Sequence, residues 1–516
     1  MGKAKRAKLK RQEDARRISE QQSAKHAERK ETAKILLVVV SIMLAISLVV
    51  GVFCFVAYKI KESGNYLRDR VTVKSADYEV NNAMMSYFFH DNFYQQKQYY
   101  DYYSSYFKLD TSKSLKMQDY STSMTWYDYF IEQASENVKS ILVFAQAAKD
   151  EGITLDDADN KMIEDQIADI KAAADEAKIT PEKYIFNNYG LGVTEQDIRD
   201  SLELYYTSQK LYYNIINGID YTTDEISAYY DEHSSDYMKV NYKSYACKSY
   251  NATDATDSEK EAAYDKAESY ANELAKSTTA KDFDIALKAY LLEVYKDNNV
   301  TYTDAEIEET IENSLTEGEA YTANSEYSEW LFNSETKAGD TKIIDNGSGT
   351  YTVYLLTEAA HREEYTTKNV RHILLSLSDY DTDDECKAAA EAVLAEYNNG
   401  AKTEEAFSDL AVKYSTDTGS VSVGGLYKNI LKGEMTAAFD EWCYDDARSV
   451  GDVDIVKTTY GYHVMYFAGN GLSAWESEVF NDMQDAEYTE ISEDYTEKYE
   501  VTADTAKMNN IPDINS

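Results

Sequence analysis

The chain has 516 residues, with 93 Asp and Glu against 52 Lys and Arg, a formal net charge of -41. That length exceeds one ordinary core and favours three or more domains, and that charge excludes nucleic acid as a partner, because phosphate binding needs clustered Lys and Arg. Four cysteines without C-x-x-C spacing exclude a disulfide framework and a zinc site.

The charge is unevenly placed. Residues 1–34 form a basic arm with 12 Lys and Arg against 5 Asp and Glu, so the remainder carries 40 basic and 88 acidic side chains. Ile35 to Tyr58 follows as an uncharged apolar run of 24 residues, enough to cross the roughly 30 Å bilayer core as a helix. The positive arm predicts a cytoplasmic N-terminus and an extracytoplasmic bulk from about residue 60. No A-x-A site follows the run, and Phe53 stands where a lipoprotein Cys54 would need a small residue. The run therefore reads as an uncleaved, single-pass anchor.

Residues 62–237 read as a helical domain after a short linker and first strand. In FIEQASENVKSILVFAQAAKDEGI, Ile131, Val138, Ile141, Leu142 and Ala145 share one helix stripe that Gly152 ends. Helices also fit DDADNKMIEDQIADIKAAADEAK, TEQDIRDSLELYYTSQKLYYNII and TTDEISAYYDEHSSDY. The stretch YFFHDNFYQQKQYYDYYSSYF is open to two readings, a surface for unfolded chains or a tyrosine-rich core, because Tyr tolerates half-burial.

Residues 239–361 and 362–470 carry an internal repeat. TAKDFDIALKAY aligns with TEEAFSDLAVKY, so that Phe283, Ala286, Leu287 and Tyr290 match Phe407, Leu410, Ala411 and Tyr414 at the spacing of a buried helix face. WLFNSETKAGDTKI aligns with WCYDDARSVGDVDI, and TYTVYLL with GYHVMYF. Two copies of one fold in tandem are expected.

Within 365–469 the pattern predicts strand, helix, helix, loop, helix, strand. VRHILL is a buried strand, Thr382 with Glu385 caps the helix CKAAAEAVLAEY, and Asn399-Gly400 stops it. TEEAFSDLAVKYS and TAAFDEWCYDD are the next helices, with GGLYKNILKGEM as the loop between them. DIVKTTYGYHVMYF is a returning hairpin. Residues 471–516 read as a helix and tail.

Four linked pieces, VRHILL, KYSTDTGSVSVGG, GEMTAAF and YGYHVMYF, resemble the parvulin-type peptidyl-prolyl isomerases of the membrane-anchored PrsA/SurA-like foldases. The resemblance implies an α+β chain: a transmembrane helix, a SurA-like helical chaperone domain over 62–237 completed by 472–516, and two parvulin-like domains. Each would be a four-stranded antiparallel sheet with surrounding helices, the first copy being degenerate. Carried over by position, it implies His372, Asp417 and His463 as catalytic residues and Met435, Phe439 and Tyr460 as substrate-binding residues, with no metal or cofactor; Met435 and Phe439, at i and i+4, are expected on one helix face. In the first copy Ser244, Thr352, roughly Ala323, and Tyr327 stand for His372, His463, Met435 and Phe439. One departure is Leu426, where the family commonly has an acid, which puts the rim in doubt.

The function implied is isomerisation of X-Pro bonds in unfolded, newly exported proteins, at the cell membrane of a bacterium with a Gram-positive type envelope. Acidic SLSDYDTDDEC argues against phosphorylated substrates. The resemblance also admits a dimer. The alternative is a non-catalytic holdase that uses its parvulin folds as client-binding surfaces.

Overall fold

A computed structural model describes residues 63–249, 255–297, 303–417 and 419–514, with Met43 and a helical stretch over 46–61. The basic arm and residues 35–42, 44 and 45 of the apolar run lie outside the described residues. Among those described, no helix is long and apolar enough to cross a membrane.

The chain divides into two compact units, residues 1–214 with 492–516, and residues 215–491. The helix over TTDEISAYYDEHSSDY therefore falls in the second unit rather than with the helices before it.

The first unit is helical around a small sheet. β1 (Val71–Lys74) pairs with β2 (Glu79–Asn81) and with the C-terminal strand Thr502–Ala503. The helices are α1 (Asn82–Tyr102), α2 (Trp126–Asp150), α3 (Asp157–Glu176), α4 (Pro181–Tyr189) and α5 (Glu195–Gly218). Asn81 and Thr125 cap the first two, and Pro181 sits in the first turn of α4, where a missing N–H costs nothing. Phe89, Phe93, Phe130 and Leu142 are fully buried between α1 and α2. Of the tyrosine-rich stretch, Tyr87 and Tyr100 belong to this core, while Tyr99, Tyr102, Tyr103 and Tyr106 are exposed.

The last residues complete this core. Met508, Ile511 and Ile514 are buried in it. Asn82 Nδ2 donates to the Lys507 carbonyl at 2.8 Å, and the Tyr127 hydroxyl donates to the carbonyls of Met508 and Ile511 at 3.1 and 2.9 Å. The Asp513 carboxylate accepts from Ser114 Oγ at 2.5 Å and from the N–H groups of Leu115 and Lys116.

The second unit opens with α6 (Thr223–Tyr237) and holds two four-stranded sheets. In the first, β3 (Lys239–Lys248) is followed by α7 (Asp257–Leu274), α8 (Ala280–Asp297), α9 (Asp304–Glu312), β4 (Leu315–Ala320), α10 (Glu326–Leu331), β5 (Thr341–Asp345) and β6 (Thr350–His361). In the second, β7 (Thr366–Ser376) leads to α11 (Asp383–Asn399), α12 (Glu404–Tyr414), β8 (Leu426–Ile430), α13 (Ala437–Cys443), β9 (Val453–Lys457) and β10 (Gly461–Ser473), after which comes α14 (Ala474–Lys498). The strand orders are β4-β3-β6-β5 and β8-β7-β10-β9, antiparallel throughout.

One correction concerns GGLYKNILKGEM. Its first part is not a loop but the edge strand β8, whose register shifts between Tyr427 and Ile430. That irregularity and a left-handed Asn429 break the two-residue alternation from which a strand is read.

Each sheet is covered on both faces. In the second, Ile373, Leu375, Tyr462, Val464 and Tyr466 pack on Val393 and Tyr397 of α11 and Phe407 and Leu410 of α12. The opposite face presents Val370, Met465 and Phe467 to Phe439, Trp442 and Cys443 of α13. Successive strand residues face opposite ways, so a strand buried on both sides is apolar nearly throughout. Two histidines interrupt that apolar pattern.

Candidate active site

His372 lies on β7 and His463 on β10. In the sheet register His372 faces Met465 and Leu374 faces His463, so the two histidines are diagonal neighbours on one face. Both are buried, at 3% and 6% exposure. Their rings lie 5.2 Å apart and 18° from parallel, and Nδ1 meets Nδ1 at 3.0 Å. Phe439 presents its ring edge-on to both, at 5.6 and 5.5 Å. The apolar wall and the polar pair are thus one structure.

The loop after α12 brings the third group. Leu374 N–H donates to Ser415 Oγ, and Thr416 N–H to the Leu374 carbonyl at 2.9 Å, which ties the loop to β7 beside His372. Farther on, His372 N–H donates to the Gly425 carbonyl at 2.8 Å. Gly425 has φ of 73°, and a Cβ there would lie 2.2 Å from the His372 carbonyl oxygen, so the close return requires glycine. Arg371 holds the same turn through the carbonyls of Val423 and Gly424 while pairing with Glu404 at 2.9 Å.

So held, Asp417 sets Oδ2 2.7 Å from His372 Nε2. The same oxygen accepts from the Ser420 hydroxyl and from the Tyr427 hydroxyl, the latter at 3.1 Å, while Oδ1 accepts Gly419 N–H at 3.2 Å. Burial pushes the Asp417 carboxyl up, but the hydrogen bonds from His372 and Ser420 outweigh it and hold the group well below the usual carboxylate range. His463 is pushed down to about 4, first by burial and then by neighbouring His372, against the pull of Asp417.

The ionised Asp417 fixes the direction of the bond at its own end of the chain. An ionised carboxylate only accepts, so His372 Nε2 donates to it. The Nδ1 atoms of His372 and His463 share one hydrogen bond at 3.0 Å, and His463 Nε2 lies 2.8 Å from the Thr458 hydroxyl. Thr458 in turn accepts Tyr460 N–H at 3.1 Å. The result is a continuous chain of hydrogen bonds from Thr458 through His463 and His372 to Asp417, with Ser420 Oγ also 3.2 Å from His372 Nε2.

Of the residues expected from the sequence, His372, Asp417, His463 and Phe439 come together. Met435 packs on the same apolar cluster as Phe439 but is half-buried in the turn before α13, outside the helix, whose N-cap is Thr436. The expectation that Met435 and Phe439 share a helix face is corrected: the preceding turn, not helical periodicity, sets their contact. Tyr460 is 65% exposed and joins the network only through its backbone. Leu426 faces Arg371 in the β8–β7 register, on the side away from the histidines, whereas Tyr427 faces Val370 on the histidine side. Ser420, Tyr427 and Thr458 were not anticipated. Their hydroxyls bond Asp417 and His463 from three to ten positions away, and only the folded loop and edge strand turn them toward the site.

Residues 323–469 match the family described as the PPIC-type PPIASE domain. The foldase protein PrsA 1 of Listeria monocytogenes is 40% identical to this chain over 96 residues, 19% of this chain and 28% of that protein. The foldase protein PrsA 3 of Bacillus cereus is 42% identical over 77 residues, 15% and 25% of the two lengths. The chain thus spans well under half the length of these relatives. The crystal structure of PrsA from Bacillus subtilis is 18% identical, with 59% of this chain and 88% of that one covered and a TM-score of 0.19. The likeness that carries weight is the sequence match of one domain, and the chain carries a PPIC-type, parvulin-like domain similar to that of the PrsA foldases.

Proposed function

From the PPIC-type domain that the chain carries, we propose a membrane-anchored extracytoplasmic foldase that catalyses cis/trans isomerisation of X-Pro bonds in exported, unfolded proteins. The observation that carries this reading is the contact of His372 with both His463 and Asp417, at 3.0 and 2.7 Å, beneath Phe439 and within the family match.

Rotation about an X-Pro bond meets a barrier of roughly 18–20 kcal/mol from amide resonance. No nucleophile or metal is needed to lower it. An apolar pocket that withdraws water from the carbonyl weakens the charge-separated form, and a grip on the proline ring while the carbonyl swings favours the twisted geometry. Phe439 and Met435 supply the grip, Tyr460 the peptide contact at the rim, and the His372, His463 and Asp417 network the fixed polar field. The helical segment, completed by the C-terminal residues, serves as a chaperone surface, and the basic arm with the apolar run serves as the anchor. The first sheet is a degenerate parvulin domain.

The test is a proline-peptide isomerisation assay on the full chain in detergent. Acceleration that disappears with Asp417→Ala or His372→Ala supports the enzyme. A parent with no acceleration on any X-Pro peptide overturns it. Such a parent that still suppressed aggregation of an unfolded protein would select the holdase, a reading favoured by Ser244 and Thr352 standing where the first sheet would need histidines.

A further inference from the structure

We propose that Tyr427 is a positioning and substrate-selecting residue of this site, its hydroxyl fixing Asp417 and its ring walling the proline pocket; the inference rests on the isomerase reading above.

Two separate contacts meet in this one side chain. The hydroxyl donates to Asp417 Oδ2 at 3.1 Å, the oxygen that also takes His372 Nε2 and Ser420 Oγ. Three donors converging on one carboxylate oxygen fix the side-chain rotamer of Asp417 and leave Oδ1 to the Gly419 N–H. The ring centroid lies 5.3 Å from that of His372, and the ring packs on the cluster that holds Phe439 and Met435. Tyr427 is half-buried, as a side chain must be if it is to touch both a buried network and an incoming peptide. The edge strand gives it this placement: in register with Val370, it points to the histidine face, while Leu426 before it points to Arg371.

The two roles separate by substitution in the full chain. Tyr427→Phe keeps the wall and removes the hydroxyl. It should lower kcat about threefold to tenfold with KM unchanged, on the usual net worth of one intramolecular hydrogen bond. Tyr427→Leu removes both, and should raise KM further and change the ranking of peptides that differ beside the proline. Carbon-13 NMR of the Asp417 carboxyl, assigned with Asp417→Asn, gives a readout that does not depend on turnover. The titratable groups facing that carboxyl are His372, His463 and Tyr427 itself, and the Phe variant should move its protonation midpoint up. Wild-type kcat together with an unmoved Asp417 midpoint in Tyr427→Phe would overturn the positioning role. Wild-type KM and peptide ranking in Tyr427→Leu would overturn the selecting role. If the parent chain has no isomerase activity, the functional reading fails, and the NMR midpoint still decides whether Tyr427 holds Asp417.

Discussion

The two sheets of the second unit share a frame and differ in what the frame carries. Both run second-first-fourth-third, and their central pairs keep one register: Ser244 faces Tyr354 and Ala246 faces Thr352, as His372 faces Met465 and Leu374 faces His463. Both bury a phenylalanine fully from the second helix after the opening strand, Phe283 in one and Phe407 in the other. Both set a short Trp-bearing helix against the opposite face, with Trp330 and Trp442. On that shared frame the first sheet places Ser244 and Thr352, with Tyr327 stacked on Tyr354 at 5.1 Å, where the second places its imidazoles. Fold and chemistry are therefore separable here, because apolar burial specifies the frame and a handful of polar positions specify the site.

The comparison can be broken most directly at Asp417. Asp417→Ala leaves the donors of His372, Ser420 and Tyr427 without their shared acceptor and should cut kcat/KM by about 10- to 100-fold. Ser244→Ala or Thr352→Ala in the first sheet should leave it unchanged in the same peptide assay. Equal losses from both sheets would end the distinction.

Phe407→Ala and Phe283→Ala should each cost about 3–5 kcal/mol in their own sheet. Amide exchange resolved by segment should report this, and only Phe407→Ala should lower isomerase activity.

Acid should also separate the sheets. A free imidazole titrates near about 6.5, and His463 in the fold near about 4. Between these values the unfolded chain binds more protons, so stability rises with pH, is fully present above about 6.5 and is lost on acidification toward 4. Asp417 acts in the same sense at lower pH, since its lowered value favours the ionised, folded form. The protection of β10 amides should fall across this window by more than that of β6 amides, whose sheet has Thr352 in the matching place. His463→Asn should remove the excess loss.

The smallest effect sharpens the comparison most. Ser244→His combined with Thr352→His restores both imidazoles to the first sheet but not the loop that carries Asp417. No added isomerase activity should appear in a chain already disabled by Asp417→Ala.

Periodicity made much of this legible. The buried face of α12, the β9–β10 hairpin and the repeat followed from Phe, Leu and Tyr spacing, because burial imposes 3.6- and 2-residue periods on the chain. The edge strand β8 escaped because its bulge breaks the period. Met435 and Phe439 were seen as a pair for the wrong local reason. The hydroxyls of Ser420, Tyr427 and Thr458 bond site residues only three to ten positions away, and what turns them inward is the loop and edge-strand geometry, which residue spacing does not record.

The closing residues of the chain bear on the timing of its synthesis. Thr502–Ala503 supplies a strand to β1, and Met508, Ile511 and Ile514 fill the first unit's interior, so a unit begun near residue 63 lacks part of its centre until residues 502–514 have been made. At about 5–20 residues per second, both four-stranded sheets emerge in full while the helices translated before them still wait for these partners. The ribosome therefore delivers both sheets of this molecule before the unit that precedes them is finished.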